Sequence, residues 1–171
     1  MSVPMAILAL LSPAPNHGFA LKQQYDELLG QEREVKAAQV YSTLARLERD
    51  GYCAGMGFEK GTAADRRMFA ITDTGVSTVQ QWIRTPSIPG GRPSEVFSKV
   101  ILAIVAGEDG DAVLDAHREL YLTRMREVTA RRHEADPIRR LAGDYELAHL
   151  RADLEWIDIA GTRLSRLENE L

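Results

Sequence analysis

The sequence predicts a mainly α-helical protein with one small β-hairpin, and three observations carry that prediction. Apolar residues recur at three- and four-residue spacing along most of the chain. One stretch, residues 52–72, has strand-like ends around a middle rich in Gly, Lys and Asp. The last segment carries a leucine stripe of coiled-coil type. Three helices, a two-stranded hairpin and a further helix, in that order, make a winged helix-turn-helix. The expected fold is therefore mainly α with a small two-stranded β-wing, continued by long C-terminal helices that form a dimer.

Each element follows from local chemistry. A first helix is expected over Pro4–Leu11, with Met5, Leu8 and Leu11 spaced by three and Ile7 and Leu10 widening the apolar face; "SPAPNHG" breaks it. The second runs from Gly18 to Leu29 on a stripe of Phe19, Leu21, Tyr25, Leu28 and Leu29, with Asn16 or His17 as its cap and Gly30 as its end signal. The third covers Ala37–Arg49, where Val40, Leu44 and Leu47 fall at i, i+4 and i+7 and Gly51 supplies the stop. After the hairpin, whose Cys53 reads as a small buried filler, a fourth helix runs from Asp73 to about Arg84 with Thr72 as cap and Val76, Val79 and Ile83 at helical spacing. "RTPSIPGGRPSE" packs three prolines and two glycines into residues 84–95, which places a domain boundary there. The expected organisation is a first domain over 1–86, a linker over 87–95 and a helical domain over 96–171. In that last part Val96–Val105 is apolar, "GEDGD" interrupts, and a long helix is expected from about Ala112 to Ala135, carrying Leu114, Tyr121, Met125 and Val128 and stopped by Pro137. From about Asp144 to Leu171 the stripe of Leu147, Leu150, Leu154, Ile157, Gly161 and Leu164 alternates steps of three and four, and Leu167 and Leu171 continue it.

Composition narrows the function classes. With 171 residues and 44% apolar content the chain buries one ordinary core or two small ones. The apolar run at Ile7–Leu11 lacks a preceding basic region and is stopped by Pro13 and Pro15, so no membrane span is expected and the cytoplasm is the expected location. A single cysteine and the lack of any Cys/His cluster with ligand spacing predict no disulfide, metal or cofactor. The four histidines, His17, His117, His133 and His149, come without a nucleophile elbow or phosphate-binding glycine loop, which argues against an enzyme. The net charge of -4 resides wholly in residues 91–171, which hold 12 of the 21 Lys/Arg and 16 of the 25 Asp/Glu, so the first half is balanced and free to present a basic face.

The third helix has the composition of a DNA-reading element. Opposite its apolar stripe stand Gln39, Ser42, Thr43 and Arg46: Gln pairs with adenine edges, Ser and Thr permit close approach, and Arg takes guanine or phosphate. Arg66 and Arg67, beside Lys60 in the hairpin, suit phosphates flanking the groove, as do Lys22 and Lys36; Tyr41 offers a hydroxyl to the backbone. The C-terminal stripe, through Leu147, Leu150, Leu154, Ile157, Leu164 and Leu167, is expected to meet a second subunit, the alternative being that it folds back on its own chain. Two winged helices on a two-fold axis would reach grooves about 34 Å apart and read a pseudo-palindrome. Tyr121, His149 and Trp156 are candidate linings of an aromatic effector cavity. The competing reading is an adaptor that uses the winged helix against another protein.

The residues also resemble a known family. "HGFALKQ" at 17–23, "QVYSTLARLERDGY" at 39–52 and "DRRMFAITDTG" at 65–75 are similar, in order and spacing, to the second helix, recognition helix and wing of PadR-like transcriptional regulators; "QQWI" and "VFSKVILAI" resemble a subgroup's linker and dimerisation module. Phe19 and Phe69 stand where Tyr is usual, and Lys36, Ala37 and Ala38 replace a Ser-Pro-Gly-like helix entry. The resemblance covers nearly the whole chain. It implies a dimeric repressor that releases a pseudo-palindromic operator when a small molecule binds, without identifying that molecule.

Overall fold

The computed structural model describes residues 2–30, 34–59, 66–87, 94–132 and 136–168. Its elements are α1 (Val3–Leu10), β1 (Asn16–His17), α2 (Gly18–Leu29), α3 (Ala37–Arg49), β2 (Cys53–Glu59), β3 (Arg66–Ile71), α4 (Asp73–Arg84), α5 (Ser94–Val105), α6 (Gly110–Arg132) and α7 (Pro137–Glu168). Two compact units divide the chain, Met1–Ile83 with Ile101–Glu108, and Arg84–Val100 with Asp109–Leu171.

In the first unit, α1 is buried over its last five residues, Ala6 to Leu10, and Leu21, Tyr25, Leu29, Val40, Leu44, Leu47, Phe69, Val79 and Ile83 complete the core. Each such large side chain contributes about 1.5–3 kcal/mol on leaving water. Cys53 is buried among them, its thiol pushed up to about 11 chiefly by burial, which suits a packing role. His17 is the cap of α2: its Nδ1 accepts the Ala20 N–H at 3.0 Å. The stop after α3 is Gly51, at φ +81°, and the Thr72 hydroxyl closes the next junction by donating to Gly51 O at 2.8 Å and accepting from Gly75 N at 3.1 Å.

The expected two-stranded wing is the hairpin of β2 and β3, and the sheet adds a third strand to it. The sheet has three antiparallel strands in the order β1-β3-β2, with Asn16 opposite Phe69 and His17 opposite Met68. A two-residue strand leaves no periodic signal in sequence; it forms because the turn before α2 lies along the open edge of β3 and satisfies backbone groups there.

The second unit is built on an antiparallel pair, α6 and α7. Ion pairs across it join Arg118 to Asp158 at 2.6 Å, Arg124 to Glu146 at 2.5 Å and Arg132 to Asp144 at 2.9 Å. α7 begins seven residues before the expected Asp144, at Pro137. Proline is well placed there because the first helical N–H has no intrahelical partner in any case, and Asp136 Oδ1 takes the next two, from Ile138 and Arg139, at 3.0 Å each. The apolar run at 96–105, left without a secondary structure by the sequence, lies within helix α5.

Candidate nucleic-acid interface

α3 is strongly amphipathic. At about 100° per residue, Val40, Leu44 and Leu47 fall within about 60° of one another, while Gln39, Ser42 and Arg46 lie some 100–160° from Val40 on the outer side. Gln39, Ser42 and Arg46 are exposed, and among the described residues Arg46 has no ion-pair partner. Ser42 Oγ donates to Gln39 O at 3.0 Å, which draws the hydroxyl back along the helix.

Thr43 corrects the sequence reading. It lies about 60° from Val40, on the core flank, and is only 5% exposed, so it is withdrawn from the outer face. Tyr41, 52% exposed, lies on the helix side next to α2, where a Cβ on Gly18 would stand 2.6 Å from its ring. That close approach explains glycine in "HGF", a residue the sequence offered only as a helix start. Lys36, at the N-cap position of α3, is exposed and makes no side-chain capping bond.

The other expected cations are engaged within the fold. Lys22 pairs with Asp26 one turn along α2. Arg66 Nη1 lies 3.1 Å from His17 Nε2 and its guanidinium stacks 5.3 Å from the Phe19 ring centroid. Arg67 donates to Glu48 Oε1 at 2.6 Å and lies 5.1 Å from the Phe69 ring centroid. The same Glu48 oxygen accepts Gly55 N–H at 3.1 Å, so one carboxylate ties the last turn of α3 to both hairpin strands. Glu48 went unassigned from sequence because its partners are 7 and 19 residues away. Lys60 lies outside the described residues.

Residues 7–81 match the Transcriptional regulator PadR-like family. Those residues are similar to that family's domain. The chain is 32% identical over 85 residues to the negative transcriptional regulator PadR of Bacillus subtilis, covering 49% of this chain and 47% of that relative. It is 27% identical over 89 residues to a probable transcriptional regulator of Mycobacterium tuberculosis, covering 52% and 47%. The chain thus spans about half the length of the curated relatives it matches. Its fold also resembles the crystal structure of Bacillus subtilis PadR in complex with operator DNA, with TM-score 0.48 and 19% identity over 92% of this chain and 96% of that one.

Beyond the matched residues, the leucine stripe of α7 is largely covered within its own chain. Leu147, Leu150 and Ile157 are at most 3% exposed, and Leu154 and Leu164 are half-buried. A Cβ on Gly161 would touch Leu114 and one on Gly143 would touch Val128, so this face packs on α6. Leu147, Leu150 and Ile157, expected at a subunit seam, are covered by a helix of the same chain, while Leu154 and Leu164 stay partly open. The Leu167 side chain lies outside the described residues.

The three candidate effector residues do not share one cavity. Tyr121 is buried edge-on to His117, with centroids 5.9 Å apart. Trp156 meets Phe97 edge-on at 6.0 Å. His149 is exposed and packs at a tilt against Tyr145, with ring centroids 4.1 Å apart. A cavity of about 580 Å³ between α6 and α7 is lined by Val128, Arg131, Arg132, Arg139, Ala142, Gly143 and Glu146, and by none of the three. No helix among the described residues is long and apolar enough to cross a membrane, and no group of His, Cys, Asp and Glu among them has metal-binding form.

Proposed function

We propose that the chain is a dimeric, sequence-specific DNA-binding transcriptional regulator of the cytoplasm that acts as a repressor. The observation that carries this reading is the outer face of α3, where Gln39, Ser42 and Arg46 stand exposed together while the opposite face is locked into the core. Side chains of this kind, on a helix held rigidly behind a wing, suit base edges in a major groove. The name of the Bacillus subtilis relative, a negative regulator, supports repression. Residues 1–86 form the DNA-binding domain and 96–171 the dimerisation domain, with 87–95 between them. Lys36 adds a phosphate contact at the helix entry, and release by a small molecule is part of the same reading.

Burial of the leucine stripe moves the proposed dimer contact to the other side of α7. There Ile138, Leu141, Tyr145 and Ile159 are 82, 71, 69 and 46% exposed and form a second apolar stripe with His149 and Trp156 between them. Two copies pairing through that stripe would set the half-site spacing.

The test is selection of duplexes from a random-sequence pool by the full chain, followed by affinity measurements against salt. A selected pseudo-palindrome is expected, with affinity falling steeply as salt rises. Arg46→Ala is expected to cost about 1–3 kcal/mol on the selected duplex and much less on a scrambled one. Equal losses on both would make Arg46 a phosphate contact, and no selection at any salt would favour a protein partner.

A further inference from the structure

The hairpin has an unexpected surface. Phe58 is 71% exposed and Met56 63%, two large apolar side chains within three residues. Gly57 between them sits at φ +102°, and the pairing register with β3 slips between Gly55 and Gly57, so the strand carries a bulge at this point. A bulge redirects the side chains beside it. Meanwhile the two described arginines of the return strand, though exposed, are each tied to a neighbour in the fold, Arg66 to His17 and Phe19, Arg67 to Glu48 and Phe69. The described part of the wing therefore offers solvent an apolar prong, level with Arg67 opposite Phe58 and Arg66 opposite Glu59, whose guanidinium groups are tied back to Glu48 and His17.

Exposed apolar residues on a strand invite aggregation unless a partner uses them. The partner is set by where the prong stands. Glu48, on the last turn of α3, bonds Gly55 and Arg67, so the prong begins at the end of the helix whose outer face carries Gln39, Ser42 and Arg46. We propose that Met56 and Phe58 are a wedge that enters the minor groove next to the major groove taken by α3 and spreads a base step there. This rests on the DNA-binding reading above and extends it to a means of selection. Apolar wedges unstack a step and bend the duplex, and flexible pyrimidine–purine steps yield most readily, so the wing selects sequence through deformability without a hydrogen bond to any base.

The experiment uses the full chain and a duplex it has selected from a random-sequence pool, labelled at both ends for energy transfer. Wild type is expected to bend that duplex, and to bind less tightly when the step under the wing is changed from TA to a stiff A-tract. Met56→Ala/Phe58→Ala is expected to weaken binding about ten-fold, abolish the bend and lose the TA preference, with base protection under α3 unchanged. Phe58→Leu, which keeps an apolar tip, is expected to retain most of the bend. Both sites are exposed, and an unchanged thermal midpoint checks that the variants fold. Variants that bind and bend like wild type, or a wild-type complex with straight DNA, would overturn the wedge while leaving α3 as the reader. Failure of wild type to select any duplex would overturn both.

Discussion

A glycine and a tyrosine 23 positions apart in the chain set how α2 meets α3. Adding a methyl at Gly18 puts carbon 2.6 Å from the Tyr41 ring, well inside contact distance. Gly18→Ala is therefore expected to lower stability by about 1–3 kcal/mol through overpacking. In a Tyr41→Ala background the same change is expected to cost nothing, because the obstructing ring is gone; thermal midpoints of the four proteins in the cycle measure this coupling. Gly18 was readable from sequence as a helix start, and Tyr41 as a polar tip, but their contact was not, since it depends on the crossing of two helices. Thr43 shows the same limit on one helix. Its spacing admits it to either face, and only packing beside Val40 and Leu47 decides that it is buried.

At the scale of the element, α7 is apolar on two faces, and the two behave differently. Ile157 is fully buried, so Ile157→Ala is expected to cost about 2–5 kcal/mol and lower the denaturant midpoint. Leu141 is 71% exposed in the isolated chain, so Leu141→Asp is expected to leave the fold intact and to shift sedimentation from dimer to monomer. A dimer that survives Leu141→Asp would place the contact elsewhere. The leucine repeat was legible in the sequence, and so was the need to cover it. Which helix covers it was not, because α6 supplies the complementary surface only once the hairpin between them has closed.

For the whole molecule, the acid side of the stability curve is expected to carry the mark of a buried histidine. His117 is fully buried; Ser87 N–H donates to its Nε2 at 3.1 Å, and its Nδ1 lies 2.8 Å from Val113 O, which places the single proton of the neutral ring on Nδ1. Burial pulls its titration below the ordinary 6.5; the bond to Val113 opposes this, Lys99 adds to it and Glu95 works against it. A histidine held neutral in the folded chain binds its proton later than in the unfolded chain as pH falls. Its stabilising effect is thus fully present above about pH 6.5 and declines below it. Denaturant midpoints between about pH 5 and 7 are expected to fall with acid in wild type and to fall less in His117→Gln.

The sequence by itself determined the helices of the first unit, their caps and stops at Thr72 and Gly51, the hairpin, and the amphipathic third helix with its exposed Gln39, Ser42 and Arg46. These depend on short-range periodicity and on residues that act within a turn of themselves, so they are written locally. Tertiary structure decided the third strand at Asn16–His17, the burial of Thr43, the pairing of Arg66 with His17 and of Arg67 with Glu48, the internal use of the leucine stripe and the outward turn of Met56 and Phe58. Each depends on partners many residues away, whose competition for one surface is settled only when the chain packs.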